Sequence, residues 1–296
     1  MSGLRLWVKA ARPRTLPAAI APVLVGTAAA VEASDDLRVG AFLAALLGSV
    51  FIQIGTNLAN DYSDAKRGAD SVDRLGPVRV TASGLVAPRR VLVATWVAFG
   101  VAVAAGIYLA AVAGPVILAV GVASILAGVL YTGGPRPYGY AGLGEAFVFL
   151  FFGLVAVNGS YFVQVERLDW LPFALSIPVG FLSTAILVVN NVRDIETDRR
   201  AGKMTLAVRL GRERTRAVYA SLVVGAYVGL PAALLLAGGP AWGLLALASL
   251  PLALRPLRAV RTRTDGPALN AALAGTGVLL GAFSLLLTAG LLLADA

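Results

Sequence analysis

Two short clusters of acids and amides are the residues in this chain best suited to chemistry. One reads Asn57-Leu58-Ala59-Asn60-Asp61-Tyr62-Ser63-Asp64, the other Asn190-Asn191-Val192-Arg193-Asp194-Ile195-Glu196-Thr197-Asp198. On a helix, residues three, four and seven apart share a face. Asn57, Asn60, Asp61 and Asp64 then form one stripe, and Asn191, Asp194 and Asp198 a second. A shift of 134 positions carries Asn57, Asn60 and Asp64 onto Asn191, Asp194 and Asp198, which suggests an internal duplication. Carboxylates one helical turn apart repel unless something neutralises them. A hard divalent cation does so through oxygen ligands. Mg2+, with Mn2+ as a substitute, is commonly held by one or two carboxylates plus substrate phosphate. Two facing stripes would hold two or three such ions around one diphosphate. The plainer reading is a pair of solvated helix ends, where Asp and Asn are common. Against it, carboxylates at the C-terminal end of a helix oppose its dipole, and here the placement is made twice.

Composition narrows the chemistry further. The chain has no histidine and no cysteine. That excludes Cys/His zinc sites, His or Cys haem ligation, disulfides and histidine base catalysis. Basic side chains close to the stripes would complete a diphosphate site. Lys66 and Arg67 follow the first stripe, and Lys203 follows the second in Gly202-Lys203-Met204-Thr205. Taken singly, Lys66, Arg67 and Arg193 each read better as a topology charge than as a ligand, with Lys203 the closer case. The stretch Tyr131-Thr132-Gly133-Gly134-Pro135-Arg136-Pro137-Tyr138-Gly139-Tyr140 would let backbone N–H groups approach phosphate, unless its glycines only make a tight turn. The metal set expected is Asn57, Asp61, Asp64, Asn191, Asp194 and Asp198. The catalytic set is Asp61, Asp64, Asp194, Asp198 and Lys203. The substrate-binding set is Asn57, Asn60, Lys66, Arg67, Tyr131, Arg136, Tyr138, Asn190 and Lys203, with Arg14 added below.

Apolar helices must position these residues. Of 296 residues 58% are hydrophobic and 14% charged, where a soluble domain carries about 25% charged residues. Hydrophobic runs near 20 residues make the chain an all-α integral membrane bundle. It reads as a single domain, 1–296, of about nine transmembrane helices around a central cavity. The spans fall near 14–31, 39–62, 90–110, 113–131, 143–165, 170–192, 216–237, 241–255 and 268–293, the eighth being short. With the N-terminus inside, every Lys and Arg except Arg38 and Arg167 falls on the cytoplasmic side. Arg74 is among those inside. Both acidic clusters share that side, and the C-terminus lies outside. A cleavable leader ending at Ala28-Ala29-Ala30 is the rival for the first span; it would preserve the charge segregation only by coincidence. The net charge of +9 reads as attraction to a lipid bilayer and an anionic substrate rather than to nucleic acid.

With these residues in view, the chain resembles the UbiA superfamily of intramembrane aromatic prenyltransferases, and within it the branch acting on 1,4-dihydroxy-2-naphthoate. The likeness rests on Ala11-Arg12-Pro13-Arg14-Thr15-Leu16-Pro17, Asn57 to Asp64, Tyr131 to Pro137, and Asn190 through Gly211. The last stretch ends Lys203-Met204-Thr205-Leu206-Ala207-Val208-Arg209-Leu210-Gly211. Some members carry a further Asp where this chain has Gly68. The resemblance implies a plasma-membrane enzyme with nine helices around a central cavity and two Asp-rich motifs binding Mg2+-diphosphate. A polyprenyl diphosphate would ionise, the naphthoate ring would attack, and CO2 would leave. Arg14 would hold the naphthoate carboxylate, or serve only as a topology charge. Phe147, Phe149, Phe151, Phe152 and Tyr161 would face the cation, or merely pack. The alternatives are another aromatic acceptor, such as 4-hydroxybenzoate, and a secondary transporter, whose charges should lie nearer the bilayer midplane.

Overall fold

The computed structural model describes residues 3–69, 75–76 and 79–294; Arg74 lies outside them. Helix α1, Gly3–Ala11, leads through a 3-10 turn, Pro13–Thr15, into α2, Pro17–Ser34. Then come α3, Val39–Lys66, α4, Pro88–Ala113, and α5, Val116–Leu130. A short 3-10 turn, Tyr138–Ala141, precedes one continuous helical span. That span begins as α6, Gly144–Val148, passes through a π turn, Phe149–Val155, and ends as α7, Ala156–Val165. Helices α8, Trp170–Arg200, and α9, Leu206–Ala237, follow. A 3-10 stretch, Ala241–Ser249, runs into α10, Leu250–Thr262, and α11 covers Gly266–Leu292.

Local chemistry sets these ends. Pro17 and Pro88 open α2 and α4, where a missing N–H costs nothing. Asp169, Thr205 and Asp265 cap α8, α9 and α11 by accepting from the N–H groups of Trp170, Val208 and Ala268. Among the described residues, eight helices are long and apolar enough to cross a membrane, and α5 is a shorter apolar ninth. The expected spans are therefore present, but the short one is the fourth rather than the eighth. With 15 residues, α5 rises about 22 Å, less than the ~30 Å hydrocarbon core. The eighth continues to Thr262, so Arg255, Arg258 and Arg261 ride on its last turns and not in a loop. Helix α9 likewise starts at Leu206, ten residues before its expected start at 216, with a break at Gly211 (φ 77).

Helix α8 is the most buried of the spans, with α2 and α11 next, while α3, α4 and α9 turn most of their apolar residues outward. Val93, Trp96, Val97 and Ile107 on α4, and Val224, Val228, Leu235 and Leu236 on α9, are exposed. Such a belt is suited to lipid, not water. At the end opposite the acidic clusters, Arg38 pairs with Glu166 at 2.6 Å and Arg167 reaches the Ala33 carbonyl.

The 134-residue shift is written into the backbone. Helix α3 ends at Lys66 and α8 at Arg200; α5 begins at Val116 and α10 at Leu250. The turns that close α3 and α8 repeat bond for bond. Arg67 N–H donates to Ser63 (3.1 Å) as Ala201 does to Thr197 (3.0 Å), and Ala69 to Asp64 (3.0 Å) as Lys203 does to Asp198 (2.8 Å). Gly68 and Gly202 hold the same left-handed position, φ 65 and 71, which L side chains disfavour.

Candidate active site

The ends of α3 and α8 enclose one cavity of about 330 Å3. All six residues related by the shift, Asn57, Asn60 and Asp64 with Asn191, Asp194 and Asp198, line it. Asn190 and Lys203 line it as well. The polar floor continues into an apolar arm between α4, α5 and the π turn and α7. Gly106, Gly121, Gly128, Phe147, Phe151 and Phe152 line that arm.

Asp64 is the hub of the floor. It is 1% exposed and gathers three donors from three separate segments. Arg79 Nη2 lies 2.9 Å and Lys203 Nζ 3.0 Å from Oδ2, and the Tyr140 hydroxyl donates to Oδ1 at 2.6 Å. A buried carboxylate is tolerable only when paired and hydrogen-bonded in this way. The Lys203 ammonium also sits 4.8 Å above the Tyr140 ring. Because Met204 N–H donates to the Tyr140 carbonyl, the loop after α5 is tied to the loop after α8 across the mouth.

Asp61 is placed differently from its expected role. It is 2% exposed but does not line the cavity. Its two oxygens accept from the backbone N–H groups of Val80 and Thr81, each at 3.0 Å. Its carboxylate fastens the segment that carries Arg79 to α3. The shift agrees with this division, because position 195, the partner of Asp61, is a buried isoleucine.

On α8, Arg193 grips Asp194 through two bonds, at 2.8 and 2.6 Å. The remaining bonds of this guanidinium reach Asn190 on α8 and Asn270 on α11. At 2% exposure and absent from the cavity lining, Arg193 is a strut that holds Asp194 in place. Asn191 donates to Glu145 at 2.9 Å. Asn60 accepts from the Thr132 hydroxyl at 2.8 Å. Asn57 donates to the Ala11 carbonyl and to Thr15 Oγ1.

The other expected contacts divide. Tyr131 and Tyr138 line the cavity. Burial, followed by the Glu145 carboxylate, pushes the Tyr131 phenol well above its ordinary value. Burial does the same to Tyr138, so both remain protonated donors. Lys66, Arg67, Arg136 and Arg14 are exposed and off the cavity, with Arg67 donating to the Gly134 carbonyl. From the Arg12-Pro13-Arg14 stretch it is Arg12 that lines the cavity, in a left-handed conformation (φ 54) uncommon outside glycine. Among the aromatic candidates, Phe147, Phe151 and Phe152 reach the arm. Phe149 packs on Phe181, and Tyr161 is buried in the core.

Sequence reasoning missed Arg79, Tyr140, Thr132 and Glu145 as site residues. Arg79 arrives from a loop with no periodicity to mark it. Glu145 carried a visible signal, a single acid opening a long apolar run, where a charge is costly and usually has a role.

Among the described residues no group of three or more acidic side chains makes a ready metal cage. The donors on the floor are nevertheless all oxygens, from carboxylates and amides, with no sulfur or imidazole among them. That set suits Mg2+, which keeps water and completes its shell with substrate phosphate. Lys203 and Arg79 beside Asp64 suit the same anion.

A family model described as the UbiA prenyltransferase family matches residues 19–274. A Mycobacterium tuberculosis protein named 1,4-dihydroxy-2-naphthoate octaprenyltransferase is 47% identical over 94% of each chain. An Escherichia coli protein of the same name is 39% identical over 91% of this chain and 89% of its own. Two solved structures share the fold at low identity. A UbiA homolog from Archaeoglobus fulgidus bound to GPP and Mg2+ gives a TM-score of 0.66 over 97% of this chain and 99% of that one, at 17% identity. An apo UbiA homolog from Aeropyrum pernix gives 0.67 over 94% and 98%, at 14% identity.

Proposed function

The chain belongs to the UbiA prenyltransferase family, and from that premise we infer its reaction. It transfers a polyprenyl group from its diphosphate to 1,4-dihydroxy-2-naphthoate in menaquinone biosynthesis. The allylic C–O bond breaks and diphosphate leaves. A ring carbon of the naphthoate bonds to the prenyl carbon, and the ring carboxylate departs as CO2. The product is demethylmenaquinone in its reduced, quinol form. The observation that carries this reading is the single cavity where two duplicated oxygen-donor stripes meet above an apolar arm. Relatives named for this reaction, at 47% and 39% identity, support the acceptor.

Asp64, Asp194 and Asp198 would hold Mg2+, or Mn2+ in its place, with Asn57 and Asn191 adding amide oxygens. When bound, the metal supplies positive charge to the diphosphate as it leaves. Lys203 and Arg79 share that load from the protein side, and Tyr140 fixes Asp64 between them. Such preset charge opposite a developing anion is a large term in catalysis. Asn60, held by Thr132, turns its amide N–H toward the same space. Arg12, rather than Arg14, is the cation we assign to the naphthoate carboxylate.

The arm accounts for the rest of the substrate. Glycines at 106 and 121 leave width for a prenyl chain, which a long tail would continue sideways into lipid, while Gly128 makes room for Thr56 of α3. The rings of Phe147 and Phe151, 6.1 Å apart with Tyr138 stacked on Phe147 at 3.9 Å, line the arm with aromatic surface that would exclude water from an allylic cation. The chain is a multi-pass membrane protein. We place it in the plasma membrane, with the N-terminus and the carboxylate ends cytoplasmic.

The test is direct. Purified protein is incubated with Mg2+, a polyprenyl diphosphate and either 1,4-dihydroxy-2-naphthoate or 4-hydroxybenzoate. Prenylated product with CO2 release from the naphthoate is expected. Product from 4-hydroxybenzoate alone would overturn the acceptor assignment.

A further inference from the structure

The two matched asparagines are both turned by the protein, and one of them is turned by a buried acid. Asn57 donates its amide N–H to the Ala11 carbonyl at 3.0 Å. Asn191 donates its own to Glu145 Oε1 at 2.9 Å. Positions 11 and 145 are separated by the same 134 residues as positions 57 and 191. The duplication therefore matches the acceptors as well as the donors. In the first half the acceptor is a backbone carbonyl, and in the second it is a side-chain carboxylate.

A backbone carbonyl only accepts, and so does Glu145 as a carboxylate, so each takes the NH2 end of its amide. For Asn191 the Oδ1 end is what remains for the cavity, whereas Asn57 Oδ1 also accepts from Gln53 at 3.5 Å; both asparagines line that cavity. Glu145 itself is 8% exposed, and its Oε2 has no hydrogen-bond partner among the described residues. A carboxylate so placed is costly, and a neutral side chain of the same shape would cost less. Ordinary packing gives no reason for an acid at this position.

We propose that Glu145 is a positioning residue that fixes the amide of Asn191 with its oxygen toward the Mg2+-diphosphate. This rests on reading the two stripes as the metal site. An amide oxygen ligates a hard cation or accepts from its bound water. The amide nitrogen has no available lone pair and turns two N–H groups toward the positive charge. Reversal of Asn191 would thus replace a ligand with a repulsion. Residues that orient a metal ligand in this way change metal affinity by about 10–100-fold when removed.

The experiment uses the full-length protein with an unreactive prenyl thiodiphosphate. Mn2+ binding is followed by electron paramagnetic resonance, and the Mg2+ dependence of turnover is measured separately with the reactive diphosphate. Glu145→Ala is expected to weaken Mn2+ binding about tenfold and to raise half-saturating Mg2+ in parallel, with KM for the naphthoate unchanged. Asn191→Asp alone sets two carboxylates against each other and should also impair binding. Combined with Glu145→Gln, which then donates to the new acid, it should recover Mn2+ affinity to within about threefold. Unchanged Mn2+ affinity in Glu145→Ala, or a double variant no better than Asn191→Asp, would overturn the assignment. Should Glu145→Ala fail to fold, the Asn191→Asp pair decides alone. Asp64→Asn and Asp198→Asn run beside them. If these two bind Mn2+ normally, the metal reading itself fails; if only they lose it, Glu145 alone is misassigned.

Discussion

Asp61 and Asp64 lie three residues apart on one helix, and the structure gives them different work. Replacing each by asparagine separates the two. In Asp64→Asn the buried Arg79 and Lys203 lose their counter-charge, at 2.9 and 3.0 Å. Hydrogen bonds to charged groups contribute about 1.5–3 kcal/mol each. The leaving diphosphate also loses a metal ligand, so a transition-state deficit of about 4 kcal/mol is reasonable, which is roughly a thousandfold in kcat. Asp61→Asn leaves one oxygen for the Val80 and Thr81 N–H groups and sets its own NH2 against the other. That costs about 1–3 kcal/mol of stability, or a melting midpoint lower by roughly 2–10 °C. Its rate should fall by no more than about tenfold, through slack in the segment carrying Arg79. The assay is initial rate against Mg2+ at saturating diphosphate, with thermal unfolding in parallel. Equal losses of kcat in the two variants, with an equally raised Mg2+ requirement, would refute the division and return Asp61 to the metal.

Tyr140→Phe removes the 2.6 Å bond to Asp64 but keeps the ring beneath Lys203; kcat should fall about tenfold, by roughly 1–1.5 kcal/mol, in steady-state assays. Arg193→Lys cannot reproduce the guanidinium fork between Asp194, Asn190 and Asn270. It should destabilise the protein by about 3 kcal/mol in denaturation measurements, with activity falling as well. Lys66→Ala and Arg136→Ala remove exposed charges away from the cavity. Each should change KM for the diphosphate by less than about fivefold; a larger rise in either would put that residue back in the site.

Much of this arrangement was legible because a duplication leaves two copies to compare. The six positions related by 134 residues are the six that face one another across the cavity. Helical periodicity alone was too coarse to separate Asp61, since a stripe of positions three and four apart covers more than a quarter of the helix surface. What turns Asp61 aside is a pair of backbone N–H groups from a distant loop, and nothing in local spacing announces them. The unused signal was its partner across the shift, Ile195. Arg79 and Tyr140 arrive from loops for the same reason, by tertiary folding rather than by register. The expected end of the eighth span, 255, falls on the first arginine of α10, Arg255, seven residues before the helix stops at Thr262. Long arginine side chains on the last turns of α10 can reach the interface while the helix continues.

The most direct measurement of the two-stripe site is the anomalous scattering of Mn2+ in crystals of the protein with an unreactive prenyl thiodiphosphate. Peaks should lie between α3 and α8, about 2.1 Å from carboxylate oxygens of Asp64 and of Asp194 or Asp198, with the diphosphate beside Lys203. A metal bound at Asp61, or one touching a single stripe only, would contradict it.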